Sequence, residues 1–171
     1  MDLRLFSVQV IGAFLPFVAV ALTGCVQVRP LGNTFPSADV LAAEVIGALA
    51  VKDCARLEAV ALSEWEFREH VWDHLPAARP ERNLPWSYVW GDLHQKSERM
   101  LTQGLARHGG RDYQLVSVTF SGKTDYGPYR VHRDATFWVR HGAGETAAIR
   151  VIGSMIEKDG AWKVFSYVVD E

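Results

Sequence analysis

The chain has 171 residues, 49% of them apolar and 22% charged, with 18 Lys and Arg against 20 Asp and Glu. This is the composition of a globular protein, and the near balance of charge argues against a basic nucleic-acid face and an acidic tail. Two cysteines, Cys25 and Cys54, cannot build a disulfide framework.

Residues 1–23 read as an export signal. Arg4 and the chain amine make a weakly positive start, partly cancelled by Asp2, and residues 5–22 are almost wholly apolar. Leu22-Thr23-Gly24-Cys25 follows directly. This motif resembles the lipobox of bacterial lipoproteins. The resemblance implies that residues 1–24 are removed as a signal peptide and that the Cys25 thiol carries the lipid. Several acyl chains, palmitate among them, then hold the protein firmly to a membrane. Val26, rather than Asp, follows the cysteine, which in that family implies the periplasmic face of the outer membrane. The alternative is an uncleaved transmembrane anchor, since about 20 apolar residues span a bilayer. Cys54, beside Val51, Ala55 and Leu57, reads as a small buried hydrophobe.

Residues 25–36 carry Pro30, Gly32, Asn33 and Pro36 without periodicity and read as a tether, leaving 37–171 as one domain. Ser37 is a good N-cap for a helix over 38–51. That helix is apolar nearly all round, so it should be buried on more than one side. Asp53 caps a second short helix. Ser63 and Glu66 make a capping box for a third, whose stripe of Phe67, Val71, Trp72 and Leu75 ends at Pro76. Residues 76–90 hold three prolines and predict a loop pinned by Trp86, Tyr88 and Trp90. Asp92 with Gln95 predicts the start of the last helix, with Leu93, Met100, Leu101 and Leu105 on one face and Gly109-Gly110 at its end.

From Tyr113 the apolar period becomes two. Strands are expected over 113–121, 129–140, 146–157 and 161–169, with turns at 122–128, 141–145 and Asp159-Gly160. Helices segregated from strands predict an α+β fold, with the helices packed on one face of a curved antiparallel four-stranded meander.

Three segments carry a resemblance over about residues 38–169: GALAVKDCARL at 47–57, RDATFWV at 133–139 and GAWKVFS at 160–166. Their order resembles the nuclear transport factor 2-like superfamily, also called SnoaL-like or cystatin-like α+β. The resemblance implies a cone that encloses a pocket. That superfamily includes enzymes such as ketosteroid isomerase and polyketide cyclases, beside many non-catalytic binding and assembly modules, so the fold does not choose a function. Its enzymes place a carboxylate or an Asp–His pair inside the cone, and those positions find no residue-by-residue match here.

Candidate site residues fall into three groups. Trp72, Trp86, Tyr88, Trp90 and His94, with Arg133, supply the large rings and few polar groups of a ligand pocket. His70 and His74, at i and i+4, are weak candidates for zinc; they are expected on a solvated helix face without further ligands at a recognisable spacing. Arg130, His132, Asp134 and Thr136 alternate with the core-facing Val131, Ala135, Phe137 and Val139, and so are expected outside any pocket. No cofactor motif is present.

The last two strands are apolar on both faces. Ala147, Ile149, Val151 and Met155 oppose Ile152 and Ile156; Trp162, Val164 and Val168 oppose Phe165, Tyr167 and Val169. One-sided helices would leave the convex face bare. A homodimer contact there beside Trp138 is expected, with cover by Val28, Leu31 and Phe35 of the tether as the alternative. The expected function is a lipid-anchored cell-envelope module, non-catalytic, that binds a hydrophobic small molecule or assembles with a partner. The alternatives are a pocket isomerase, lyase or hydrolase, and a zinc-binding protein.

Overall fold

The structure, a computed structural model, describes residues 29–169. Cys25 and the apolar run before it, which carry the lipoprotein expectation, lie outside the described residues. No helix among the described residues is long and apolar enough to cross a membrane.

Helix α1 (Ala38–Ala50) begins where the Ser37 hydroxyl accepts the Val40 N–H. Leu41, Ala42, Val45, Ile46, Ala48 and Leu49 are all buried, as its nearly unbroken apolar sequence requires. Lys52 turns the chain with a φ of 55°, and Asp53 caps α2 (Cys54–Ala59) by accepting the Arg56 N–H. Helix α3 (Glu64–Glu66) opens on the reciprocal Ser63–Glu66 capping box. It continues as a π-helical turn, Phe67–Val71, and a 3-10 turn, Trp72–His74.

The expected loop over 76–90 is largely helical instead. Two 3-10 turns, Pro76–Ala78 and Pro80–Arg82, lead into α4 (Trp86–His108), which starts six residues before Asp92. Asp92 caps nothing; it sits inside α4 and binds Lys96 at 2.7 Å. Pro85 provides the extended N-cap instead. Trp86, Val89, Trp90 and Leu93 then fall at i, i+3, i+4 and i+7, one apolar stripe with Leu101 and Leu105. Gly109 ends the helix, and the Gly110 N–H reaches back to the Leu49 carbonyl at 2.9 Å.

Among the described residues, seven strands replace the expected four: β1 (Tyr113–Thr119), β2 (Gly122–Asp125), β3 (Arg130–Arg133), β4 (Thr136–His141), β5 (Thr146–Ile149), β6 (Ser154–Lys158) and β7 (Ala161–Ser166). They form two antiparallel sheets, β1-β4-β5 and β2-β3-β6-β7. The predicted second and third strands each break in the middle. Asp134 takes a φ of 54°, a left-handed conformation that reverses the pleat. Across the break the Ala135 N–H still binds the Gly153 carbonyl at 3.2 Å, and the Ser121 N–H binds the Arg133 carbonyl at 3.1 Å. The expected loop 122–128 therefore supplies strand β2 and turns at 126–129. The other turns form as read: Gly142 has a φ of 57°, and Asp159 and Gly160 have φ of 53° and 77°, the two positive values a tight hairpin requires.

Two cores hold these layers. One joins α1 to Phe137 and Val139 of β4, Met155 of β6 and Val164 of β7, with Leu57, Leu101 and Tyr167 around them. The other joins Phe67, Val71 and Trp90 to Tyr129, Val131 and Ile156. Met155 and Ile156 are consecutive, so they point to opposite faces. The β2-β3-β6-β7 sheet is thus covered on both sides by this chain, and not on one side as expected. Trp162 is closed over by Phe120, His132 and a backbone bridge to Phe35. β6 and β7 consequently leave no broad apolar face in need of a second copy; Trp138 stays partly exposed on the other sheet, its Nε1 donating to Thr119 Oγ1.

Candidate functional site

Residues 29–36, expected as a tether, are strapped onto the domain. Phe35 exchanges two backbone hydrogen bonds with Trp162, at 2.9 and 2.8 Å. Asn33 Nδ2 donates to the Ala59 carbonyl at 3.2 Å. The Arg29 carbonyl lies 2.8 Å from His70 Nε2; a carbonyl only accepts, so that nitrogen carries a proton.

Under the strap lies an ion pair that the sequence reading missed. The side chains of Glu66 and Lys163 are each only 4% exposed and meet at 2.8 Å. Lys163 Nζ donates to both Glu66 oxygens and to the Gly32 carbonyl, each at 2.8 Å, which uses its three protons. Glu66 also accepts the N–H of Gly32 at 2.7 Å and the N–H and hydroxyl of Ser63, both at 2.8 Å. Burial by itself would raise the Glu66 pKa. The bonds from Lys163, Ser63 and Gly32 outweigh it and hold the carboxyl below its ordinary value. The group is a fully committed carboxylate with no free lone pair aimed at a reactant.

Beside this pair opens a cleft of about 700 Å³. Its walls are the strap at 29–33, the α2–α3 junction at 58–66, one face of α4 and the end of β7. Leu93, Leu101 and Phe165 line it with Trp90, whose ring stacks on His94 at 5.1 Å and 14°. His94 in turn lies 3.2 Å from Glu98. Ser97 Oγ accepts the Tyr167 N–H at 2.9 Å, and the Tyr167 hydroxyl donates to the Leu57 carbonyl at 2.6 Å. Burial pushes that phenol well above its ordinary pKa, so it stays a donor.

Of the six candidate pocket residues, the structure brings Trp90 and His94 into this cleft. Trp72 and Trp86 pack against the second core instead, Trp86 beneath the Arg68 guanidinium. Tyr88 faces solvent, because two residues along a helix is more than half a turn from Trp86 and Trp90. Arg133 lies over Gly122, where an added Cβ would come within 2.7 Å of its guanidinium.

The histidines are also redistributed. His70 is buried rather than solvated, held by the Arg29 carbonyl and edge-on to Trp65. His74 is exposed and lies against the Tyr129 ring. The π-helical turn closes i to i+5, which upsets the i, i+4 alignment assumed for a shared ligand. Among the described residues no group of three His, Cys, Asp or Glu is placed to hold a metal.

His132 is half-buried between Phe120 and Trp162, with Nε2 2.9 Å from Glu157 Oε2. Arg130 binds the other Glu157 oxygen at 3.0 Å. The hydrogen bond from His132 lowers the Glu157 pKa, against its desolvation and with help from Arg130. Asp134, next but one along the chain, instead accepts from Ser121 Oγ and from Arg150. Trp162 and Lys163 are consecutive on β7, so the His132 pair and the cleft lie on opposite faces of the sheet.

Cys54, expected buried, is exposed in the first turn of α2. Local burial, with Glu58 and Asp53 nearby, raises its pKa and keeps the thiol protonated. The chain matches none of the protein-family models, curated proteins or solved structures with which it was compared.

Proposed function

We propose that this is a lipid-anchored cell-envelope protein, held through Cys25 at the periplasmic face of the outer membrane. Its α+β domain, of nuclear transport factor 2-like type, binds an apolar or amphipathic small molecule in the cleft beside the strap. The observation that carries this reading is the cleft itself. About 700 Å³ lies within the ~300–1,000 Å³ of small-molecule sites. Leu93, Leu101, Phe165 and the stacked Trp90–His94 pair form its apolar wall, with exposed Arg29, Glu58, Glu64 and Glu98 at its rim, and its buried Glu66–Lys163 pair is spent on itself. Ligand retention fits that chemistry better than turnover, because a general base needs a free lone pair facing the substrate.

A fluorescent long-chain fatty-acid analogue titrated into the purified protein should bind saturably. Leu93→Arg should weaken it by roughly tenfold or more, the loss expected for one buried aliphatic contact. Val116→Arg, on the exposed side of β1, should leave it unchanged. Equal affinity in both variants and the parent would overturn the cleft as the site. The anchor has its own test. Cells supplied with a clickable palmitate analogue should label the parent protein, whereas Cys25→Ser should be unlabelled and keep residues 1–24. An unlabelled parent overturns the lipoprotein reading.

A further inference from the structure

We infer that the surface formed by Arg29, Trp65, Arg68 and Trp86, with Leu84 at its edge, rests on the lipid headgroups of the membrane that anchors the chain. The inference builds on the anchored reading above and adds which face of the domain meets the bilayer. The Arg29 guanidinium lies over the Trp65 ring at 5.6 Å, and the Arg68 guanidinium lies over the Trp86 ring at 5.6 Å. Trp65 and Arg68 are three residues apart where α3 passes into the π-helical turn, so they lie within one turn of the same helical segment. The two stacks therefore make one patch. Trp65 and Leu84 are 39% and 40% exposed, large apolar groups left open to solvent beside the guanidinium stacks.

The occupant follows from where the anchor lies along the chain. Cys25 is four residues from Arg29, a reach of at most ~14 Å, and the end of the apolar run at Leu22 is seven residues away, at most ~25 Å. Either form of anchor puts the bilayer within that distance of Arg29. Arg29 cannot swing away to lengthen the leash. Its carbonyl is held by His70, and Gly32, three residues on, is bound to the buried Glu66–Lys163 pair through both its N–H and its carbonyl. Amphipathic rings settle at headgroup depth, and guanidinium groups bind phosphate with paired hydrogen bonds. Glu64 and Glu69 flank the patch, Glu69 lying 3.4 Å from Arg68. The patch is therefore close to neutral, and the contact depends on the anchor rather than on a polybasic attraction. The cleft shares Arg29 and Trp65 with this face, so its mouth stands beside the bilayer.

Trp138 provides an internal reference, because its 38% exposure equals that of Trp65 within a percent and it belongs to the other sheet. The full protein, purified and reconstituted on vesicles of phosphatidylethanolamine and phosphatidylglycerol, is floated and then footprinted with hydroxyl radicals. Trp65 should be oxidised several-fold less than Trp138. Vesicle-bound protein in which the two tryptophans are oxidised equally, or Trp138 is the more protected, overturns the proposed face while leaving the anchor intact. Protein that does not float with the vesicles overturns both.

Discussion

Lys163→Met should cost about 3–5 kcal/mol of folding stability, the usual penalty for stranding one member of a buried ion pair. That is a large part of what holds an ordinary domain folded. The loss is steep because Glu66 would remain buried, still approached by the N–H groups of Gly32 and Ser63 but without a countercharge. Replacing both partners, as Glu66→Leu with Lys163→Met, should cost less than the sum of the single changes, since the lone charge is then gone. The pair also predicts an acid limb. Glu66 has its folded pKa below the ordinary 4.5, so its contribution is complete above that value and is lost as pH falls through the folded pKa. Urea unfolding of the parent should show stability dropping below about pH 4.5, with a shallower drop in the Glu66→Leu, Lys163→Met double variant. A Lys163→Met protein as stable as its parent at pH 7 would show that the pair does not hold the strap.

Gly153→Ala should be at least as damaging, at about 3 kcal/mol or more, the upper end of what overpacking costs. A Cβ at this position would fall 1.7 Å from the Val168 carbonyl oxygen and 2.6 Å from its carbon. Both are backbone atoms, so no rotamer change can relieve the clash. Gly153 cannot back away either: its N–H donates to the Ser166 carbonyl at 3.0 Å, and its own carbonyl accepts from Ala135. It sits where β6 begins and the chain leaving β7 crosses over it. Gly47→Ala is the contrast. Gly47 lies inside α1 with no atom within 4 Å of an added Cβ, so alanine there should stabilise by roughly 0.5–1 kcal/mol. Thermal melts of the two variants should move in opposite directions. Small shifts of the same sign would mean that the Val168 backbone does not close over Gly153.

What the sequence by itself determined is the set of features closed by bonds between near neighbours. Ser37, Asp53 and the Ser63–Glu66 box each satisfy an N–H no more than three residues away, so a cap can be read from the residues that make it. Gly109 and the Asp159-Gly160 hairpin are local in the same sense, and the switch from helical to alternating periodicity at Tyr113 sufficed for the α+β class. The start of α4 was legible too, in the spacing of Trp86, Val89, Trp90 and Leu93, but three prolines close by made the segment look like a loop.

Everything that shapes the candidate site was decided by tertiary structure. Lys163 meets Glu66 across 97 residues, and His132 meets Glu157 across 25 through the β3–β6 register. Neither partner carries a local mark of the other, because the hydrogen bonds that offset burying their charge come from elements brought together only on folding. The same holds for the strands. An apolar residue on each face shows that both faces are buried, but not what covers them, and here α1 and the later turns of α4 take one face while α3 and the first turns of α4 take the other. The break at Asp134 is the clearest case. Its left-handed φ suits an aspartate only modestly by itself. The contacts with Ser121 and Arg150 hold it, and they bend one meander into two sheets.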